Sequence, residues 1–346
     1  MEEPATFSAT SPARVAGLPS PLRVAAAIDE REERWFLPES AVPAVGGRLQ
    51  RLGGVNEIRA FNPDVLLTCW STPRLPENWL QSSDCRLRYV CHLTGSVRHF
   101  LPRCFLERGG LVTNWGDIPS GAVAEHALLL ALAALRNLPA WLQGFSHPAA
   151  AGDRMHWLGV RTLHGRRVGI HGLGRVARAL IRMLSGFDSR VLVCSDGVPE
   201  EEFADCGVRR TTNLCDLFAQ SDVLFECEAL TAASVRAVGA AELAALPDGA
   251  VFVNVARGGL VDDGALLHEA RSGRIRVALD VFSEEPLPAD SLWLKVPGAV
   301  LSPHIAGPTI DQYPRCTELA LANLARYTRG EPLQFPVTTE IYDRAT

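Results

Sequence analysis

Short runs of β-branched and apolar residues recur along this chain, and each is followed by a stretch of good helix formers before the next begins. The runs fall at residues 22–28, 65–69, 88–92 and 111–114, then again at 167–171, 190–195, 222–227, 250–254, 277–280 and 299–302. Strands separated by helices cannot close as tight hairpins; they build parallel sheets covered by helices. With 346 residues, 47% of them hydrophobic, the chain can bury two cores. The pattern predicts an α/β protein of two doubly wound parallel-sheet domains.

The texture changes near residue 121. The stretch GAVAEHALLLALAALRNL consists of helix formers and is apolar around most of its circumference. It reads either as a plain core helix or as a hinge and dimer-interface helix. A polar connector with His147, Asp153 and Trp157 follows, and then a strand at 167–171 runs into HGLGRVARALIRML. Gly172, Gly174 and Ala177 fit the G-x-G-x-x-G/A spacing at a strand-to-helix turn. The first glycine allows the tight turn, the second lets the backbone approach a pyrophosphate, and the small third residue lets helix and strand pack. Such turns also occur for packing alone. The next strand ends at Asp196, where a carboxylate can meet ribose hydroxyls; a simple Asp-Gly turn with Gly197 is the other reading.

The net charge of −5 leaves no basic footprint for nucleic acid, and the longest apolar run, 127–135, is too short to span a bilayer. Nine scattered cysteines, an odd number without a repeated C-x-x-C spacing, fit a reducing cytoplasm better than a disulfide scaffold. Residues 1–21 are rich in Pro, Ala, Ser and Thr and begin with Glu2 and Glu3, so they read as a flexible tail and not as a secretion signal. No ligand cluster has convincing metal spacing, and no metal is expected.

Three side chains downstream carry chemistry. Arg257 stands in FVNVARGGLVDDGAL, Glu285 in ALDVFSEEPLP and His304 in LSPHIAG, each beyond the carboxyl end of an expected strand, where open α/β sheets bind ligands. They suit a carboxylate clamp, an acid partner and a proton-transfer imidazole.

These strings, with HGLGRVA and VTNWGDIPSGAVAEHALLLALAALRNLP before them, resemble the D-isomer-specific 2-hydroxyacid dehydrogenases over about residues 60–330. The resemblance implies a flavodoxin-like substrate domain (22–118 plus 308–335) and an NAD-binding Rossmann domain (119–307), with the active site in the cleft between them. It also implies a homodimer through 121–157. The reaction would be reversible hydride transfer between NAD(H) and C2 of a 2-oxo or D-2-hydroxy acid. Arg257 would hold the substrate carboxylate. His304 would move the proton, and Glu285 would stabilise its imidazolium. Gly172, Gly174, Arg175, Val176, Ser195, Asp196, Ala256 and Asp280, with Arg257 and His304, would surround the cofactor, Asp280 near the nicotinamide carboxamide. Thr94, Gly95 and Ser96, with Arg257 and His304, would meet the substrate.

Three departures from the family pattern bear on specificity. The G-x-G-x-D-N loop is here CHLTGSVRHF, with Val97 and Arg98 for the Asp-Asn pair. Arg98 or His99 could take a second anionic group such as a phosphate or phosphonate, or both could face solvent. The ribose-binding aspartate position falls on Ser195, with Asp196 one residue later, so NAD is expected and NADP left open. Cys227 stands where many members have histidine. A second reading is a non-catalytic, cofactor-sensing corepressor-like protein, since such proteins keep the same three side chains.

Overall fold

The computed structural model describes residues 22–37, 49–143, 156 and 158–344. The tail at 1–21 and the connector residues His147, Asp153 and Trp157 lie outside the described residues. Two compact units divide the backbone: Met1–Ile118 with Ile310–Thr346, and Pro119–Thr309.

The first unit holds a five-stranded sheet in the order β2-β1-β3-β4-β5, all pairs parallel, made of β1 (Val24–Ala27), β2 (Gln50–Arg51), β3 (Val65–Thr68), β4 (Tyr89–His92) and β5 (Leu111–Thr113). This is the flavodoxin-like order. Alternate side chains go to opposite faces, and both faces are covered. Leu66, Val90 and Val112 pack with Trp79, Phe100 and Phe105, whereas Val65, Leu67 and Tyr89 pack with Leu324 and Tyr327 of the returning C-terminal helix Tyr313–Thr328. Two-sided burial is why these strands are almost uninterruptedly apolar.

The second unit holds seven parallel strands in the order β12-β11-β10-β9-β6-β7-β8. They are β6 (Arg167–His171), β7 (Arg190–Cys194), β8 (Arg209–Thr211), β9 (Val223–Glu226), β10 (Val251–Asn254), β11 (Arg276–Leu279) and β12 (Val300–Leu301). From β6 the chain runs outward through β7 and β8, then returns to β9 on the other side of β6. That reversal opens a crevice beyond the carboxyl ends of β6 and β9.

Two strands escape the sequence pattern, β2 and β8. Both are short edge strands of polar composition, Gln-Arg and Arg-Arg-Thr, which need no apolar alternation. The expected helix at 121–138 is also two helices, Ser120–Leu135 and Leu138–Gln143. Asn137 between them takes a left-handed φ of 54°, and its amide donates to the Leu158 carbonyl at 2.9 Å.

The helix Ser120–Leu135 is alanine-rich for a reason of fit. Ala124, Ala127, Ala131 and Ala134 are fully buried in the core shared with Val168, Ile170, Val251, Val253 and the helix Arg175–Leu184. Side chains this small let helix axes and sheet approach closely. Ala131→Leu should therefore overpack the core and lower stability by about 1–3 kcal/mol. Chemical denaturation would measure this, and a wild-type midpoint would refute the close fit.

Candidate active site

The last residues of neighbouring strands in the second unit form a row across the sheet. Cys194 of β7 is the register partner of His171 in β6, His171 of Glu226 in β9, and Glu226 of Asn254 in β10. Each stands directly before a turn, and two of them, Glu226 and Asn254, hold that turn with side-chain hydrogen bonds.

At β6 the turn is Gly172-Leu173-Gly174, leading into the helix Arg175–Leu184. Gly172 has φ of 89°, and a Cβ there would lie 2.7 Å from the Glu228 Cα, so only glycine fits. Gly174 is exposed, and a Cβ built on it meets nothing within 4 Å. Ala177 is fully buried against the sheet. A tight turn, open space over the second glycine and a ten-residue helix N-terminus suit a dinucleotide pyrophosphate. Arg175 is exposed and Val176 half-buried at the start of that helix. Beyond β7, Ser195 is buried, while Asp196 is exposed in a turn with Gly197, whose φ is 70°.

Asn254 shapes the turn after β10. Its Oδ1 accepts from the Ala256 amide at 3.0 Å and its Nδ2 donates to the Arg257 carbonyl at 3.0 Å. Gly258 follows, and a Cβ there would fall 1.9 Å from the Phe282 carbonyl carbon. The absent side chain thus lets the Arg257 turn lie directly on the segment leading to Glu285. Burial pushes the half-buried Arg257 guanidinium below its ordinary value, and the neighbouring Glu285 carboxylate opposes that.

Glu285 is held at both oxygens. Oε1 accepts from the Phe282 amide at 2.9 Å, and Oε2 lies 2.6 Å from His304 Nδ1. The His304 side chain is 45% exposed, so its ring is available to a ligand while its orientation is set from behind. His304 has a left-handed φ of 52°, rare for a residue with a Cβ, and its amide donates to the Asp280 carbonyl at 2.9 Å.

Asp280 holds that conformation. Its carboxylate is fully buried and accepts from Ser302 Oγ at 2.6 Å and from the amides of Ile305 and Ala306 at 3.0 Å each. His126 Nε2 lies 2.8 Å from Ser302 Oγ and 3.3 Å from the carboxylate. Burial pushes the Asp280 carboxyl up, but His126, Ser302 and the two amides outweigh it and hold it below the usual carboxylate range. Both oxygens thus bond within the chain.

In the first unit the loop after β4 carries Thr94, Gly95 and Ser96. The Thr94 side chain is buried, its Oγ1 2.8 Å from His92 Nε2, while His92 Nδ1 lies 2.9 Å from Thr68 Oγ1. Burial lowers the His92 imidazole to about 3, with His99 adding to the effect, so it is neutral. The Thr94 carbonyl accepts from the Trp115 amide at 3.1 Å, and the Gly95 carbonyl from Asn114 Nδ2 at 2.9 Å. Arg98 is exposed and lies over the Tyr342 ring, with Nη1 donating to the Asp343 carbonyl at 3.4 Å. His99 is exposed, beside Phe100.

Sequence reasoning missed His92, His126, His171 and Glu226. The only signal for the last two was a polar residue ending an apolar run, twice in neighbouring strands. Among the described residues no group of three or more His, Cys, Asp or Glu could hold a metal ion.

Residues 128–306 match the family model for the NAD-binding domain of D-isomer specific 2-hydroxyacid dehydrogenases. The chain is 32% identical over 276 residues to a glyoxylate reductase of Pyrococcus furiosus, covering 78% of this chain and 80% of that one. It is 30% identical over 226 residues to a D-3-phosphoglycerate dehydrogenase of Methanocaldococcus jannaschii, 65% of this chain but 42% of the relative, so it spans less than half of that protein's length. The crystal structure of a glyoxylate reductase from Paecilomyes thermophila superposes with a TM-score of 0.73 at 25% identity, covering 92% of this chain and 99% of that one. With more than half its length matched by the family model, this chain belongs to the D-isomer specific 2-hydroxyacid dehydrogenase family.

Proposed function

We propose that this protein is an NAD-dependent oxidoreductase that interconverts a 2-oxo acid and its D-2-hydroxy acid. The observation that carries the reading is the 2.6 Å contact between His304 Nδ1 and Glu285 Oε2, with Arg257 on the adjoining turn. NAD(H) bound at the glycine turn supplies or receives the hydride at the substrate's C2.

The chain's residues do the rest. Arg257 binds the substrate carboxylate through its planar fork and polarises the neighbouring carbonyl. Glu285 holds the His304 ring at Nδ1, which leaves Nε2 to donate a proton to the C2 oxygen during reduction and to accept it in the reverse direction. Asp280 acts through the loop it anchors.

A small 2-oxo acid such as glyoxylate is the substrate class that the likeness to the glyoxylate reductases supports. A phosphate-bearing substrate is not favoured, because Arg98 turns to Tyr342 and Asp343. Nor is the corepressor reading. Asp196, exposed beyond β7, supports NAD over NADP. Leu129, Trp141 and Leu142 are 57%, 36% and 61% exposed, which supports a homodimer through this region; residues 144–155 and 157 lie outside the described residues. All nine cysteines are free, in keeping with a reducing cytoplasm, and among the described residues no helix is long and apolar enough to cross a membrane.

A panel of 2-oxo acids followed by NADH absorbance tests the reading, and no turnover on any of them would overturn it. His304→Ala should lower turnover by about 10²- to 10⁴-fold while NADH binding persists. Arg257→Lys, which keeps the charge but loses the fork, should raise KM for the acid by about tenfold or more; an unchanged KM would remove Arg257 from carboxylate binding. Titration with both reduced cofactors should show tighter binding of NADH, and a clear NADPH preference would reverse the role given to Asp196.

A further inference from the structure

His171 and Glu226 are a buried ion pair that the mechanism above does not use. They are register partners on one sheet face, with Nδ1 2.7 Å from Oε2. His171 is 8% exposed and Glu226 not at all. The other carboxylate oxygen accepts from the Glu228 amide at 2.9 Å, and the His171 carbonyl accepts from the Cys227 amide at 2.9 Å. The Glu228 backbone is what a Cβ on Gly172 would strike. The pair therefore ties together the two turns that flank the opening at the carboxyl ends of β6 and β9.

We propose that His171 and Glu226 are a positioning pair for the dinucleotide: the imidazolium neutralises Glu226 beneath the glycine turn and fixes both turns, so cofactor binding weakens once the pair loses its proton. This rests on reading the glycine turn as the pyrophosphate site, and not on which acid is reduced.

The charges around the pair give the direction. Burial opposes the His171 charge, but Glu226 beside it, with Glu228 and Asp196 beyond, raises the imidazole above its ordinary value. On the β7 side stands Cys194, whose thiol is pushed up to about 11 by burial and then by Asp196 and Glu228. Cys227 is also pushed up by burial and stays a neutral thiol. Arg210 of β8 acts on Cys194 and is bonded to Glu200 at 2.7 Å. Near neutral pH the local charges are thus three carboxylates, His171 and Arg210.

Because the folded imidazole titrates higher than usual, the pair is complete below the ordinary histidine value of about 6.5 and is lost as pH rises through the raised one. Above that point Glu226 is a buried anion without a counter-charge, and with Glu228 and Asp196 it opposes an incoming pyrophosphate. Removing one partner is then worse than removing both.

NADH binding to the full-length protein, read by nicotinamide fluorescence from about pH 6 to about pH 9.5, tests this. Wild-type affinity should fall about tenfold toward the alkaline end. His171→Ile should bind weakly throughout, whereas His171→Ile with Glu226→Leu should bind nearly as well as wild type at low pH and lose the pH dependence. Glu226→Gln, which keeps the hydrogen-bonding shape but removes the buried anion, should shrink the alkaline loss. A flat wild-type profile, or the same alkaline loss in the double variant, would overturn the proposal. Should the double variant fail to fold, an undiminished alkaline loss in Glu226→Gln would overturn it as well. Wild-type protein that binds no NADH at any pH would overturn the dinucleotide reading itself.

Discussion

Asp280 carries a charge at a position with no exposed surface, and the catalytic end of the second unit depends on how that charge is satisfied. Two backbone amides, one hydroxyl and an imidazole surround it. Each donor belongs to a segment that must be placed: Ile305 and Ala306 continue the loop of His304, Ser302 precedes it, and His126 lies on the helix Ser120–Leu135. The left-handed backbone of His304 is unfavourable alone and is sustained by this over-determined loop. A buried carboxylate without its donors would cost several kcal/mol, so loop and carboxylate hold each other in place.

The same device recurs across the sheet. Asn254 bonds the turn of Arg257, Glu226 the turn of Glu228, and His171 stands before Gly172. Parallel strands end with their carbonyls pointing to the ligand side, and the following turns lack regular partners. A polar side chain on the last strand residue supplies those partners from inside. Turns built this way are stiff, and stiffness is useful here, because a misplacement of about 1 Å between reacting groups can cost about a hundredfold in rate.

The parallel architecture was legible because both faces of each sheet are buried, which writes the strands as apolar runs. The edge strands β2 and β8 were not, since an edge needs no such run. Arg257, Glu285 and His304 were legible as motifs, and their meeting on one side of the second unit follows from the strand order. The His171–Glu226 pair was invisible for a different reason: its partners are 55 residues apart and meet only because β9 lies beside β6 in the sheet. Asp280 was legible in the ALDVF string, whereas the hydrogen bonds of its carboxylate to the loop of His304 are not written in a motif. His92 likewise looked like a loop residue, although its two ring nitrogens lock Thr68 and Thr94.

The distribution of charge follows from the same layout. A chain of net charge −5, proposed to bind an anionic cofactor and an anionic acid, carries Asp196, Glu226, Glu228, Asp280 and Glu285 at one sheet end. An uncompensated cluster of that sign would repel both ligands. Glu285 faces His304, Glu226 faces His171, and Asp280 faces His126 and two amides. Arg257 and the helix N-terminus after Gly174 remain to favour incoming anions. Three of these five carboxylates are thus hydrogen-bonded from within the unit. Cofactor affinity that depends on the His171–Glu226 pair, as proposed, is more sensitive to pH than affinity built on lysine and arginine alone.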